Sequence, residues 1–193
     1  MNATPTKPKP EDSLELLAKV ELLSLDVDGV LTDGGIYYTD DGNTFRKFNA
    51  QDGMGLVRLQ KSGVNLTIIS AGAPGAIEHR ARRLGIKYAF TDVPDKLATL
   101  GGLADELGID MHRVAHVGDD VNDLPLMQAV GLAIASANAV PEIIEVANIV
   151  TARSGGHGAV REICDATLKA RGHVLETNHV FGKHLPDEGK GWT

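Results

Sequence analysis

Residues 20–33 read Val-Glu-Leu-Leu-Ser-Leu-Asp-Val-Asp-Gly-Val-Leu-Thr-Asp (VELLSLDVDGVLTD). The first six residues form a short apolar run of strand length. The run then stops abruptly in carboxylates, Asp26 and Asp28, with Gly29 directly behind them. This arrangement of apolar strand, acids and turn sets the reading of everything downstream.

Similar runs recur at regular intervals. Val64–Ile69, Lys87–Phe90, Arg113–Val117, Gly131–Ala135 and Asn148–Val150 read as further short strands. Between them, Asp52–Lys61, Pro74–Leu84, Pro94–Leu107, Asn122–Val130 and Val140–Val146 carry helical patterns. Prolines near the starts suit positions where a missing N–H costs nothing, and Gly63, Gly85 and Gly108 suit left-handed helix ends. Short strands alternating with helices predict an α/β fold, a doubly wound parallel sheet covered on both faces. Such sheets bind ligands at the carboxyl ends of their strands. Gly35–Phe48 departs from the rhythm. Two β-rich runs flank Asp40-Asp41-Gly42-Asn43, which predicts an inserted hairpin. The expected organisation is a disordered arm over 1–12, one domain over 13–170 and a tail over 171–193. A short helix over Ser13–Lys19 would be capped by Ser13.

The chain's 193 residues suffice for one such domain. A formal charge of -7 and 4% aromatic residues argue against a nucleic-acid groove. Cys164 is the single cysteine, so no internal disulfide forms, as suits a reducing compartment. No stretch is long and apolar enough to span a bilayer, and the polar, proline-rich N-terminus lacks the apolar core of a signal peptide. These features point to a cytoplasmic protein with neither a membrane nor a nucleic acid as partner.

The chemistry gathers at strand ends. Two carboxylates aimed into one pocket repel each other unless a cation neutralises them. Mg²⁺ suits that role because it accepts a few carboxylates and keeps phosphate oxygens and water as other ligands. A second acidic set, Gly118-Asp119-Asp120-Val121-Asn122-Asp123, follows another apolar run. Ser70-Ala71-Gly72 ends the second long strand, where a hydroxyl and backbone N–H groups can hold phosphate. Lys96 lies in the first turn of a helix, where a cation is electrostatically unfavourable, and that placement points to a role in the site. Arg46 and Lys47, at the hairpin's end, read first as solvated strand charges, with a substrate carboxylate as the alternative partner. His112 and His116 read as core or surface residues, and the histidines of the tail match no compact metal pattern.

Over roughly residues 20–165, these elements in this order resemble the haloacid dehalogenase superfamily of phosphatases. The resemblance implies a Rossmann-like fold in which Asp26 is the nucleophile and Asp28 the general acid/base. It further implies that Ser70 binds phosphate, that Lys96 balances charge, and that Asp26, the Asp28 main-chain carbonyl and Asp119 hold Mg²⁺. Asp120 and Asp123 would support that shell. A large cap domain has no room here. Further segments resemble the 3-deoxy-D-manno-octulosonate 8-phosphate phosphatase branch: Asp28–Gly34, Phe48 with Asp52-Gly53-x-Gly55, and Gly155-Gly156-x-Gly158-Ala159-Val160-Arg161-Glu162. That branch implies a sugar-acid phosphate substrate in lipopolysaccharide biosynthesis and a homotetramer whose sites are completed by neighbouring subunits. One position departs from it. Gly72 stands where the branch carries an arginine that would grip the sugar acid. Two alternatives remain at this level. One is a phosphatase for a nine-carbon sugar-acid phosphate or another small ester. The other is a non-catalytic assembly module like those fused to sugar-acid cytidylyltransferases.

Overall fold

The protein is described by a computed structural model covering residues 10–173. The N-terminal residues 1–9 and residues 174–193, most of the expected tail, lie outside the described residues.

The six expected core strands are present: β1 (Leu22–Leu25), β4 (Asn65–Ile69), β5 (Tyr88–Phe90), β6 (Val114–Gly118), β7 (Leu132–Ala135) and β8 (Ile149–Val150). They form one parallel sheet in the order β5-β4-β1-β6-β7-β8. β1 is fully buried because helices cover both faces. Leu23 and Leu25 pack on one side with α2 (Ala50–Lys61), α3 (Ala76–Leu84) and α7 (Ala159–Ala170). Leu22 packs on the other with α4 (Lys96–Leu107) and α5 (Leu124–Ala129). α6 (Pro141–Val146) closes a third cluster around Ile143 with Met127 and Ala133. Full burial of one leucine contributes about 1.5–3 kcal/mol, so these two-sided strands hold much of the sheet's stability.

The connections run outward from β1 to β4 and β5, then cross back to β6 on β1's other side. The crossing opens a crevice at the carboxyl ends of β1 and β6, the place where such sheets bind ligands. Both acidic clusters emerge there.

The insertion is a two-stranded antiparallel hairpin, β2 (Tyr37–Tyr38) with β3 (Thr44–Phe45). Its turn is closed by Gly42 N–H to Thr39 O and Thr39 N–H to Asn43 O, both 2.9 Å. Asp33 moors its base, accepting from Tyr37 Oη at 2.8 Å and Lys47 Nζ at 3.0 Å. These two contacts hold the Asp33 carboxyl down to about 2.

One expectation is corrected. α1 spans Pro10–Lys19, beginning three residues before Ser13. Ser13 is therefore a buried residue inside the helix, its hydroxyl without a hydrogen-bond partner, and does not cap it. The final helix, α7, begins inside the glycine-rich segment 155–162 that carries part of the branch resemblance. Gly158 precedes it with a positive φ, and the Asp52 carboxylate accepts the Arg161 N–H in its first turn at 2.8 Å. With Asn49 Nδ2 bonding Gly156 O at 3.1 Å, the two branch segments 48–55 and 155–162 form one structural unit.

Candidate active site

After Leu25 the chain leaves the sheet in a tight turn. Val27 O accepts N–H bonds from Val30, Leu31 and Thr32. Gly29 is indispensable to this turn. Its φ is +89°, and a Cβ there would lie 1.9 Å from Asp119 Oδ2. The turn thus brings β1's carboxylates against the one at the end of β6. Two contacts that the sequence did not suggest hold the turn from outside, Ser136 Oγ at 3.2 Å and Asn138 Nδ2 at 2.9 Å, both donating to Gly29 O. Their only sequence signal is that they follow β7's carboxyl end.

Carboxylate oxygens of Asp26, Asp119 and Asp123 lie within 4.8 Å of one another. Lys96, the first residue of α4, enters this group buried. Its Nζ lies 2.6 Å from Asp123 Oδ1 and 3.0 Å from Asp26 Oδ2. The unfavourable helix position is offset by two buried carboxylates. Burial alone would lower the Lys96 pKa, but Asp26 and Asp123 together raise it. One cation cannot satisfy both acids equally. Asp123 has the shorter bond, a further partner in His116 Nε2 at 3.3 Å, and the Asp119 N–H at 3.1 Å. Despite its burial, His116 and Lys96 hold Asp123 down to about 2. Asp26 is pushed up to about 6 by burial and by Asp123's charge. Asp119 rises to about 7 for the same kinds of reason, burial first and Asp26 second.

His116, read as a core or surface residue, is a core residue with a place at the site's edge. It is fully buried, and its Nδ1 lies 3.0 Å from Ser24 Oγ, its neighbour across β1 and β6. Asp120, by contrast, is exposed, and its carboxylate bonds the Val121 N–H.

The cluster fits a divalent cation. Asp119 Oδ1 is buried with no hydrogen-bond partner, and two neighbouring acids carry unfavourable charge that a cation would relieve. This has a consequence for the metal-free protein. Asp26 and Asp119 titrate above their unfolded value of 3.8, so the native state binds more protons than the unfolded chain between about pH 4 and 7. Stability from these two groups is complete below about pH 4 and is lost as pH rises toward 7. Asp123 has the opposite sign, but its window closes below about pH 4. In EDTA the melting temperature is expected to fall from pH 5 to 7.5, and excess Mg²⁺ should cancel that fall. A rising melting temperature in EDTA over that range would contradict this electrostatic picture.

A cavity of about 250 Å³ opens over the cluster, lined among others by Asp26, Asp28, Ser70, Ala71, Gly72 and Asp119. Ser70 is buried and accepts the Gly72 N–H at 3.0 Å, leaving its hydroxyl hydrogen to donate into the cavity. This narrows the expectation of free N–H groups in the turn, since the Gly72 N–H is engaged. Asp28 faces the opening. Arg46, just after β3, grips it in a fork, with Nε 2.9 Å from Oδ1 and Nη2 3.1 Å from Oδ2. Thr32 Oγ1 also reaches Oδ1, at 3.4 Å. The guanidinium lies directly over Gly72, the position where an arginine was expected.

The expected site residues lie together at one crevice: Asp26, Asp28, Ser70, Ala71, Gly72 and Asp119 line the cavity, Lys96 is buried against Asp26 and Asp123, and Arg46 is bonded to Asp28. A buried carboxylate beside a lysine, a cation-binding set and a donor hydroxyl can attack phosphorus while charge is neutralised.

Comparison with known proteins agrees with this chemistry. A family model described as haloacid dehalogenase-like hydrolase matches residues 92–163. The 3-deoxy-D-manno-octulosonate 8-phosphate phosphatase of Escherichia coli K12 is 41% identical over 167 residues, covering 85% of this chain and 89% of that protein. The Moraxella catarrhalis phosphatase of that name, solved with magnesium, phosphate and KDO, is 36% identical with a TM-score of 0.83, covering 85% of this chain and 94% of that one. The cobalt-bound phosphatase of Haemophilus influenzae is 32% identical with a TM-score of 0.78, covering 81% and 92%. On this similarity, spread over most of its length, the chain belongs to the haloacid dehalogenase-like hydrolases, among the relatives of the 3-deoxy-D-manno-octulosonate 8-phosphate phosphatases.

Proposed function

We propose that the protein is a Mg²⁺-dependent phosphatase that releases phosphate from 3-deoxy-D-manno-octulosonate 8-phosphate, a step of lipopolysaccharide sugar synthesis. The observation that carries this reading is the convergence of Asp26, Asp119 and Asp123 around Lys96, beneath a cavity holding Ser70. The relatives' shared activity supports the substrate.

In this reading Ser70 and Lys96 bind the phosphoryl oxygens. An Asp26 carboxylate oxygen attacks phosphorus, and the bond from phosphorus to the ester oxygen breaks. Asp28 gives its proton to the departing oxygen, which leaves as the sugar's hydroxyl. Water then attacks the phosphorus of the aspartyl phosphate while Asp28 takes the water's proton. Phosphate departs and the Asp26 carboxylate returns. Asp26, Asp119 and the Asp28 carbonyl would hold Mg²⁺, which when bound would supply positive charge to the transferring group. Asp123 orients Lys96 and the Asp119 backbone. Ser136 and Asn138 keep the Gly29 turn in place.

The protein works in the cytoplasm as a homotetramer. Ile36, Tyr38 and Phe45 support the assembly, since they expose apolar surface on the hairpin beside the site. Among the described residues, no helix is long and apolar enough to cross a membrane.

The reading is tested by phosphate release from purified protein with Mg²⁺, across octulosonate 8-phosphate, a nine-carbon sugar-acid phosphate and neutral sugar phosphates. The highest kcat/KM is expected on the octulosonate ester, with activity lost in EDTA and restored by Mg²⁺. Preference for the nine-carbon ester would move the substrate assignment. Full activity in EDTA would overturn the metal's role, and inactivity on every ester would favour a non-catalytic module.

A further inference from the structure

We infer that Arg46 is a latch on Asp28, opened by a substrate carboxylate. This rests on the phosphatase reading above and adds to it a source of substrate selection.

The two arms of the Arg46 fork engage both oxygens of Asp28, and Thr32 adds a further contact to Oδ1. Catalysis asks Asp28 to turn an oxygen first to the ester oxygen and then to water. At least one arm of the fork must therefore let go. The guanidinium is placed to do so. It comes from the hairpin, outside the packed sheet, and its side chain is 17% exposed beside an Asp28 side chain that is 37% exposed. Lys96, by contrast, is enclosed between two of the site's acids.

Gly72 provides the floor of this arrangement. A Cβ at Gly72 would lie 2.7 Å from Arg46 Nη2, 3.2 Å from Asp28 Oδ2 and 3.2 Å from Ser70 Oγ. Latch, acid and phosphate-binding hydroxyl thus share one small area with no side chain between them. Because Arg46 Nη2 and Ser70 Oγ both border the Gly72 Cβ position, an ester whose phosphate lies at Ser70 has the guanidinium within its reach. What can draw Arg46 away is set by chemistry. A forked guanidinium–carboxylate contact is charge-assisted and planar, and a second carboxylate reproduces both properties whereas a neutral hydroxyl reproduces neither. A phosphate ester with a carboxylate therefore frees Asp28, and a neutral ester leaves it held.

The test uses the full chain with Mg²⁺ and two substrates, octulosonate 8-phosphate and the neutral ester glucose 6-phosphate. In Arg46→Met, kcat/KM on the sugar acid is expected to fall about 30-fold, the scale of a lost hydrogen-bonded charge contact. On the neutral ester, kcat should rise several-fold with little change in KM, because Asp28 is no longer held. Arg46→Lys gives a second reading if Arg46→Met disturbs the hairpin. It keeps the charge but cannot form the fork on Asp28, so it too should raise kcat on the neutral ester. A neutral-ester kcat that stays level or falls in both variants would overturn the latch, even where the sugar-acid rate drops, since that pattern describes a plain anchor. Failure of the wild-type protein to hydrolyse either ester would instead overturn the phosphatase reading on which the latch depends.

Discussion

An Asp26→Asn variant is expected to lose phosphatase activity by about 10⁴-fold in kcat, roughly 5.5 kcal/mol of barrier, while remaining folded. The amide cannot attack phosphorus, so the covalent route closes. The expectation for stability is less usual. Burial and Asp123's charge push the Asp26 carboxyl up to about 6, so in the metal-free protein at neutral pH its charge opposes folding. The substitution removes that charge, and Lys96 keeps its shorter bond to Asp123. The melting temperature in EDTA should therefore hold steady or rise. Activity assays and thermal unfolding on the same preparations separate the two effects. A folded variant that retains a tenth of wild-type activity would remove Asp26 from the nucleophile's role.

The second large effect is expected for Lys96→Met. This change keeps most of the side-chain volume and removes only the charge. Asp26 and Asp123, both buried, then face each other without their shared cation. Breaking a buried pair by deleting one partner costs about 3–5 kcal/mol, which for a chain of this size lowers the melting temperature by about 10 °C. Excess Mg²⁺ should recover part of the loss by supplying charge to the same carboxylates. Activity should fall about 10³-fold even with Mg²⁺, since phosphoryl transfer depends on charge neutralisation around the moving group. Calorimetry with and without Mg²⁺ checks the first expectation and steady-state kinetics the second. A melting temperature indifferent to the substitution would show that Lys96 does not hold the cluster together.

The contrast between these residues shows what the sequence made legible. β1 and β6 announce themselves because a strand covered on both faces must be apolar, so carboxylates directly after it stand out. Lys96 was legible from an electrostatic misfit, a cation in a helix's first turn, and that misfit is what the two buried acids resolve. Arg46 was legible as a charge at a hairpin's end with a substrate carboxylate as a candidate partner, but not as the partner of Asp28. Its fork on Asp28 depends on how Asp33 moors the hairpin, which is a matter of three-dimensional contact. His116 was assigned to the core or surface correctly, but its bond to Asp123 follows from strand register and the return of a turn after β6, which local pattern does not convey. Ser136 and Asn138 carry no motif at all and act through the Gly29 carbonyl. The misread cap at Ser13 has a simpler origin. A serine is a good cap, yet the helix starts three residues earlier, at Pro10, inside the stretch that composition alone assigned to a disordered arm.

The central claim is that phosphate passes through a covalent bond to Asp26. The direct measurement is rapid-quench mass spectrometry of an Asp28→Asn variant mixed with octulosonate 8-phosphate and Mg²⁺. That variant should form the aspartyl phosphate slowly and hydrolyse it more slowly still, because Asp28 no longer activates water. The account predicts a phosphoryl mass increment on the peptide that contains Asp26, absent from the Asp26→Asn, Asp28→Asn double variant. Phosphate release with no increment at any quench time, or an increment on a different residue, would contradict it.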